Sequence, residues 1–333
     1  MIEKQRKNST FIAAFCRANE AKLVGAARFK RIAESYSIDE AVAVLKESGF
    51  GGGENYAADE YEKLIAADEA DLAAFVKSYA PDDKTELYFL LPYDFYNAEA
   101  LVKCLHSGFS CEKYTSTEGA YTIGELKDYI SGGKDCGIIS ELKNAIDQAK
   151  TLLKSGVQSG MQINALFIKA KYACLMSRAK YDFLKDVLSR EIIAADISAC
   201  LRSESEEYAQ KMLISVKNGK NAVGLTPAQI SALVLKDEVK VKSAFSGSEF
   251  LPLALSSLER AKKGMPLTDL EKFSVGSGVT LLADKKFTEL SGAFVFSSYV
   301  YKRKNEISCA RLCLTCKANG VNSEEIVKRI IAV

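Results

Sequence analysis

One histidine (His106), no tryptophan and five prolines are all that 333 residues hold of three residue types on which many sites and folds depend. A lone histidine removes histidine-rich zinc sites, the HExxH pattern and histidine-based triads. Few prolines, beside abundant Ala, Leu, Lys and Glu, favour helix over strand. Charge of one sign is also missing: 45 Lys and Arg against 43 Asp and Glu leave a formal +2. Such a chain has no long-range field for nucleic acid or anionic lipid, and nucleic acid is not an expected partner. No stretch approaches the roughly 20 apolar residues that span a bilayer, so direct membrane insertion is not expected. Any membrane association then runs through a partner. The start at Met1-Ile2-Glu3-Lys4 carries no apolar secretory segment, and the cysteine count is nine, an odd number. Reduced thiols in a cytoplasmic protein are the reading, with Cys174, Cys200 and Cys313 acting as small hydrophobes on helices.

What is present is a set of helix signals. Ser37-Ile38-Asp39-Glu40 has the form of a capping box, in which serine accepts a backbone N–H and glutamate reaches back. Ala41, Val42, Val44 and Leu45 follow as an apolar stripe that Gly49 can end. Thr122 with Glu125, Thr226 with Gln229 and Asn322 with Glu325 repeat that form, and Pro227 takes a first helical position. Longer helices are predicted over 138–153, 163–176 and 295–315. The segments 87–91 and 279–282 have strand composition but are short and isolated, so buried helix is the reading. Breaks are expected at Gly51-Gly52-Gly53, Ser131-Gly132-Gly133, Asn218-Gly219 and Gly276-Ser277-Gly278.

One local pattern occurs three times: an apolar helix that ends in a basic or polar turn, then a capped second helix. Segments 96–103, 195–202 and 309–314 precede Thr122, Thr226 and Asn322 respectively. With Asn97, Asp196 and Cys309 as equivalents, the spacings are 99 and 113 residues. That period is too long for a solenoid unit and suits a small domain. An all-α fold of three similar helical domains is expected, over 1–113, 114–218 and 219–333.

Few constellations carry chemistry. Cys104-Leu105-His106 reads as helix-end packing or half of a metal site. Cys309, Cys313 and Cys316 have the CxxxCxxC spacing of a radical-SAM iron–sulfur loop. Such a loop must wrap a cluster, whereas here i, i+4 and i+7 fall in a helical run, where they make a core stripe. An iron–sulfur enzyme using these three thiols is the alternative function, and an unrelated helical scaffold is another. The Gly51-Gly52-Gly53 run lacks the lysine and serine or threonine of a phosphate loop and reads as a helix terminator. Glu206-Glu207 and Glu324-Glu325 suit first helical turns. Lys302-Arg303-Lys304 is either a partner contact or a solvated helix face.

The chain resembles the C subunits of the archaeal and bacterial V/A-type ATP synthases, relatives of the d subunit of the eukaryotic V-ATPase. The likeness rests on 19–23, 29–33, 37–41 and 48–51 near the N-terminus, and on Tyr93-Asp94-Phe95-Tyr96-Asn97. It is strongest over 301–307, Arg311, Lys317, Asn319-Gly320 and 323–326, and loose between about 204 and 285. Where the family pattern has asparagine in the second and third repeats, this chain has Asp196 and Cys309; Ile193 replaces an aspartate, and Glu306 keeps an acid. The resemblance implies a pseudo-threefold funnel of three helical domains, present once per complex and monomeric when isolated. It implies a non-catalytic, cofactor-free rotor part of the central stalk, between the shaft subunits and the proteolipid ring, on the cytoplasmic side. ATP synthesis or hydrolysis is thereby linked to transport of hydrogen or sodium ions. Lys103, Arg202 and Arg311, which recur on the repeat helices, are either shaft contacts or helix-surface charges. Asp94, Asn97, Asp196 and Glu306 are expected to order the turns between helices.

Overall fold

The computed structural model describes residues 9–54, 56–132, 136–156, 160–216, 222–286 and 288–330. These residues are helical almost throughout; their one β feature is an isolated bridge between Val216 and Val223. In chain order the first eight helices are α1 (Ser9–Glu20), α2 (Gly25–Glu34), α3 (Ile38–Glu47), α4 (Tyr61–Tyr79), α5 (Asp83–Ser107), α6 (Ile123–Ile130), α7 (Ser140–Lys154) and α8 (Gly160–Arg178). The next eight are α9 (Asp182–Arg202), α10 (Glu206–Met212), α11 (Pro227–Val234), α12 (Glu238–Ala244), α13 (Leu251–Lys262), α14 (Thr268–Lys285), α15 (Gly292–Ala318) and α16 (Ser323–Arg329). The chain forms two compact units, one from Met1–Glu86 with Val275–Val333, the other from Leu87–Ser274. The division falls inside α5 and α14.

In the first unit α15 is the centre, with α1, α2, α3, α4 and α16 packed on it. A helix surrounded on several sides needs apolar residues around its whole circumference, and α15 buries Phe294, Phe296, Val300, Ile307, Cys313 and Leu314 in that way. Phe15, Phe75, Tyr79, Phe296 and Tyr299 join α1, α4 and α15 through ring contacts of 4.6–6.1 Å. In the second unit α9 has the corresponding place, packed by α8, α10, α11 and α13. Its Ile197, Cys200 and Leu201 meet Leu233, Val241, Ala254 and Leu258 in one core.

The caps read from the sequence form at Ser37, Thr122 and Thr226. Each accepts the N–H of the residue three further on, at 3.2, 3.2 and 3.3 Å. Asn322 departs: it takes the N–H of Glu324 at 2.9 Å, while Glu325 pairs with Lys328 at 2.9 Å. The asparagine side-chain oxygen takes the N–H of the second helical residue instead of the third, and a lysine one turn on competes for the glutamate. Segments 87–91 and 279–282 are helical, inside α5 and α14. Gly51 to Gly53 form a short 3₁₀ turn with positive φ at all three glycines, and Gly132 ends α6; Gly133 and Asn218-Gly219 lie outside the described residues.

The expected break at Gly276-Ser277-Gly278 does not occur, because α14 runs through it. Gly278 is there for space: a Cβ at this position would overlap the Tyr301 ring of α15. Alanine normally stabilises a helix interior over glycine by about 1 kcal/mol. Gly278→Ala is therefore expected to do the reverse, lowering stability by about 1–3 kcal/mol through overpacking. Urea unfolding checks this, with Gly278→Ala in a Tyr301→Ala background regaining most of the loss.

Candidate functional site

Three long helices each carry a buried acid turned against the chain's own backbone. On α5, Asp94 is fully buried and accepts the N–H groups of Ala120 and Tyr121 at 2.9 and 3.1 Å, just ahead of the Thr122 cap. Gly119 makes this approach possible, since a Cβ there would overlap the Asp94 carboxylate. One turn along, Asn97 accepts the N–H of Ser116 and donates to its carbonyl, both at 2.8 Å. On α9, Asp196 accepts the N–H of Ile214 at 2.7 Å and the hydroxyl of Ser215. On α15, Glu306 accepts the N–H of Val24 and, at 3.4 Å, that of Gly25, where α2 begins.

Residues three apart on a helix share a face, so Asp94 and Asn97 act together on α5. The departures from the family pattern fall on these same two positions. α9 has lost the first, where Ile193 packs against the core, and keeps the second as Asp196. α15 keeps the first as Glu306 and has lost the second to Cys309, buried beside Asn305. Each long helix thus retains at least one polar group that captures a distant segment.

Sequence reasoning missed the densest charge cluster. Arg303 is no solvated face: α15 is enclosed, and the guanidinium bonds to Asp68 of α4 and to Glu306 at 3.2 Å. Its central carbon, Cζ, lies 4.4 Å from the Phe50 ring centroid. Asp68, 2% exposed, also accepts the Gly51 N–H at 2.8 Å. Two buried carboxylates share one cation, so burial wins: it pushes the Asp68 carboxyl up to about 6, against the pull of Arg303 and the Gly51 N–H. Burial raises Glu306 also. The one sequence cue was the apolar setting of Asp68, with Leu64, Ile65 and Leu72 on the same helix. Lys302, the neighbour of Arg303, pairs with Glu20 at 3.0 Å.

The three basic candidates all have partners within the chain. Lys103 pairs with Glu99 at 2.5 Å, and Asn164 donates to the same carboxylate at 3.1 Å. Arg311 makes two bonds to Glu69, both 2.9 Å, and one to Glu62 at 3.3 Å. Arg202 lies 3.7 Å from Glu271, with both side chains mostly exposed.

Cys309, Cys313 and Cys316 are all buried in the regular turns of α15. Cluster ligands must be thiolates on a chain able to wrap the metal. Burial instead pushes the Cys313 thiol up to about 12, so these residues do not fit an iron–sulfur centre. Among the described residues no group of three or more His, Cys, Asp or Glu could hold a metal ion. The buried acids and arginine bind the chain to itself.

The family model described as ATP synthase (C/AC39) subunit matches residues 12–329, and the chain belongs to that family. The C subunit of an A-type ATP synthase from Methanocaldococcus jannaschii is 19% identical over 357 aligned positions, which cover 97% of this chain and 86% of that protein. Members of the family are structural, non-catalytic parts of the synthase.

The Asp68 carboxyl gives a pH test. Its value in the folded state lies above the ordinary 3.8, so its contribution to stability is complete below about pH 4 and is lost as pH rises through about 6. Asp68→Asn cannot ionise and lacks that loss. Between pH 4 and 7 the wild type is expected to lose stability relative to Asp68→Asn by up to about 3 kcal/mol. Urea midpoints of both proteins across that range measure the difference.

Proposed function

We propose that this chain is the rotor coupling element of its synthase, seated once per complex between the shaft of the central stalk and the proteolipid ring. In this reading it conveys rotation, linking ATP hydrolysis or synthesis to transport of hydrogen or sodium ions, and binds no nucleotide. Family membership over nearly the whole chain supports the assignment to the synthase. The observation that carries the mechanical reading is the threefold recurrence of one device: a buried acid on a long helix holding a remote backbone segment. A part that conveys torque needs its helices tied to one another at points that do not slip.

The recurrence of the device supports three repeats about a pseudo-threefold axis, with 1–113, 114–218 and 219–333 as proposed units. The segments held by Asp94 and Glu306 come from the proposed unit next to that of their own helix. The captured segments lead to the capped helices α6, α11 and, through α2, α3. On that basis the third repeat pairs α15 with the chain's own N-terminal segment, in place of the Asn322 helix α16. Of the three basic candidates, Arg202 is the one freest to exchange partners, because an exposed pair at 3.7 Å contributes about 0–1 kcal/mol. No helix among the described residues is long and apolar enough to cross a membrane, so attachment through partner subunits is part of the proposal.

Removing this chain from a reconstituted synthase tests the reading. ATP hydrolysis by the soluble head is expected to persist while ATP-driven ion transport stops, and adding the purified chain back restores transport. Coupled transport in its absence contradicts the proposal.

A further inference from the structure

The turns that close α3, α6 and α11 share one backbone geometry. Just past each helix a residue takes the left-handed conformation, and its N–H returns to a carbonyl three residues back. These residues are Gly49 (φ 88°, N–H to Lys46 at 2.9 Å), Gly132 (φ 89°, to Tyr129 at 3.1 Å) and Lys236 (φ 53°, to Leu233 at 3.1 Å). Glycine fits such a turn without strain, whereas a β-carbon crowds the following carbonyl. Lys236 is the one non-glycine residue with positive φ among the described residues. The Lys236 N–H to Leu233 and the Asp237 N–H to Ala232 at 3.2 Å close the helix end, so the conformation serves the fold, while the Lys236 amine makes no ion pair or side-chain hydrogen bond among the described residues and is left for solvent or a partner.

Its surroundings indicate the use. Leu235 is 57% and Val239 78% exposed, so two large apolar side chains flank Lys236 on the corner between α11 and α12. The end of α13 adjoins this corner, since Lys262 acts on the Glu238 carboxylate of α12, and exposed Met265 follows. Six cations (Lys236, Lys240, Lys242, Arg260, Lys262, Lys263) meet three acids there (Asp237, Glu238, Glu259). Those acids are engaged: Asp237 caps α12 through the N–H groups of Val239 and Lys240, Glu238 pairs with Lys242, and Glu259 with Lys263. Lys236 and Lys262 stay outside the close pairs.

We propose that this corner is a peripheral contact for an anionic lipid surface. Leu235 and Val239 enter the boundary between headgroups and acyl chains, and the lysines lie among the phosphates. The charge complementarity favours an anionic partner. Protruding side chains on a helix corner favour a fluid partner that yields around them, and lysine stems let the amines rise to headgroup level. The contact adds to attachment through partner subunits and stands independently of the coupling role.

The test uses the isolated full chain, sedimented with vesicles of phosphatidylcholine alone or mixed with phosphatidylglycerol. Binding is expected only to the phosphatidylglycerol vesicles and weakens as salt is raised. Lys236→Gly is expected to raise the melting temperature by removing strain while cutting vesicle binding about fivefold. Leu235→Ser with Val239→Ser abolishes binding at an unchanged melting temperature. Equal binding to both vesicles, binding by Lys236→Gly at the wild-type level, or capture by an acidic protein with no vesicle binding each overturns the proposal.

Discussion

A buried carboxylate that accepts main-chain N–H groups is the contact on which both units depend. Neither side of it is stable alone. An ionised acid in a packed interior is costly unless its oxygens are occupied, and an enclosed N–H without an acceptor costs about 1–3 kcal/mol. Bringing them together satisfies both, and a hydrogen bond to a charged acceptor is worth about 1.5–3 kcal/mol. Asp94, Asp196 and Glu306 each do this from a long helix, and each fixes a segment that cannot hold itself by local bonds. That reciprocity explains the drift between helices. Ile193 and Cys309 each remove one member of the polar pair, and in both cases the other member remains to hold the segment.

In the unit built on α15 the same principle is extended to a cation. Arg303 joins Asp68 and Glu306, and through them the Gly51 turn and the start of α2. Residues far apart in the chain are thereby made neighbours, so the N-terminal and C-terminal segments form one body. Burial of the Asp68 carboxyl outweighs the pull of Arg303 and the Gly51 N–H, which is why Asp68 holds its proton to an unusually high pH.

Much of the fold was legible because its signals are local. Thr122 with Glu125 and Thr226 with Gln229 announce helix starts from four residues each, and both form as read. The acids on the long helices were legible as repeat positions, but their partners were not. Their donors are main-chain groups of Ala120, Ile214 and Val24, which carry no side-chain signature at any fixed spacing. Glycine misled in one place. Gly276-Ser277-Gly278 has the composition of a turn, yet at Gly278 the missing side chain makes room for Tyr301, and sequence alone does not separate close approach from chain reversal. Arg303 sat in a basic run that reads as solvated, and only the enclosure of α15 shows that its charge is used inside.

Native-state hydrogen exchange measures the central claim directly, residue by residue. The amides of Val24, Ala120, Tyr121 and Ile214 lie outside regular helix hydrogen bonding, so in ordinary loops they would exchange rapidly. Held by Glu306, Asp94 and Asp196, they are expected to exchange as slowly as amides in the middle of α9 and α15. Exchange of these four at the rates of exposed turns would contradict the account.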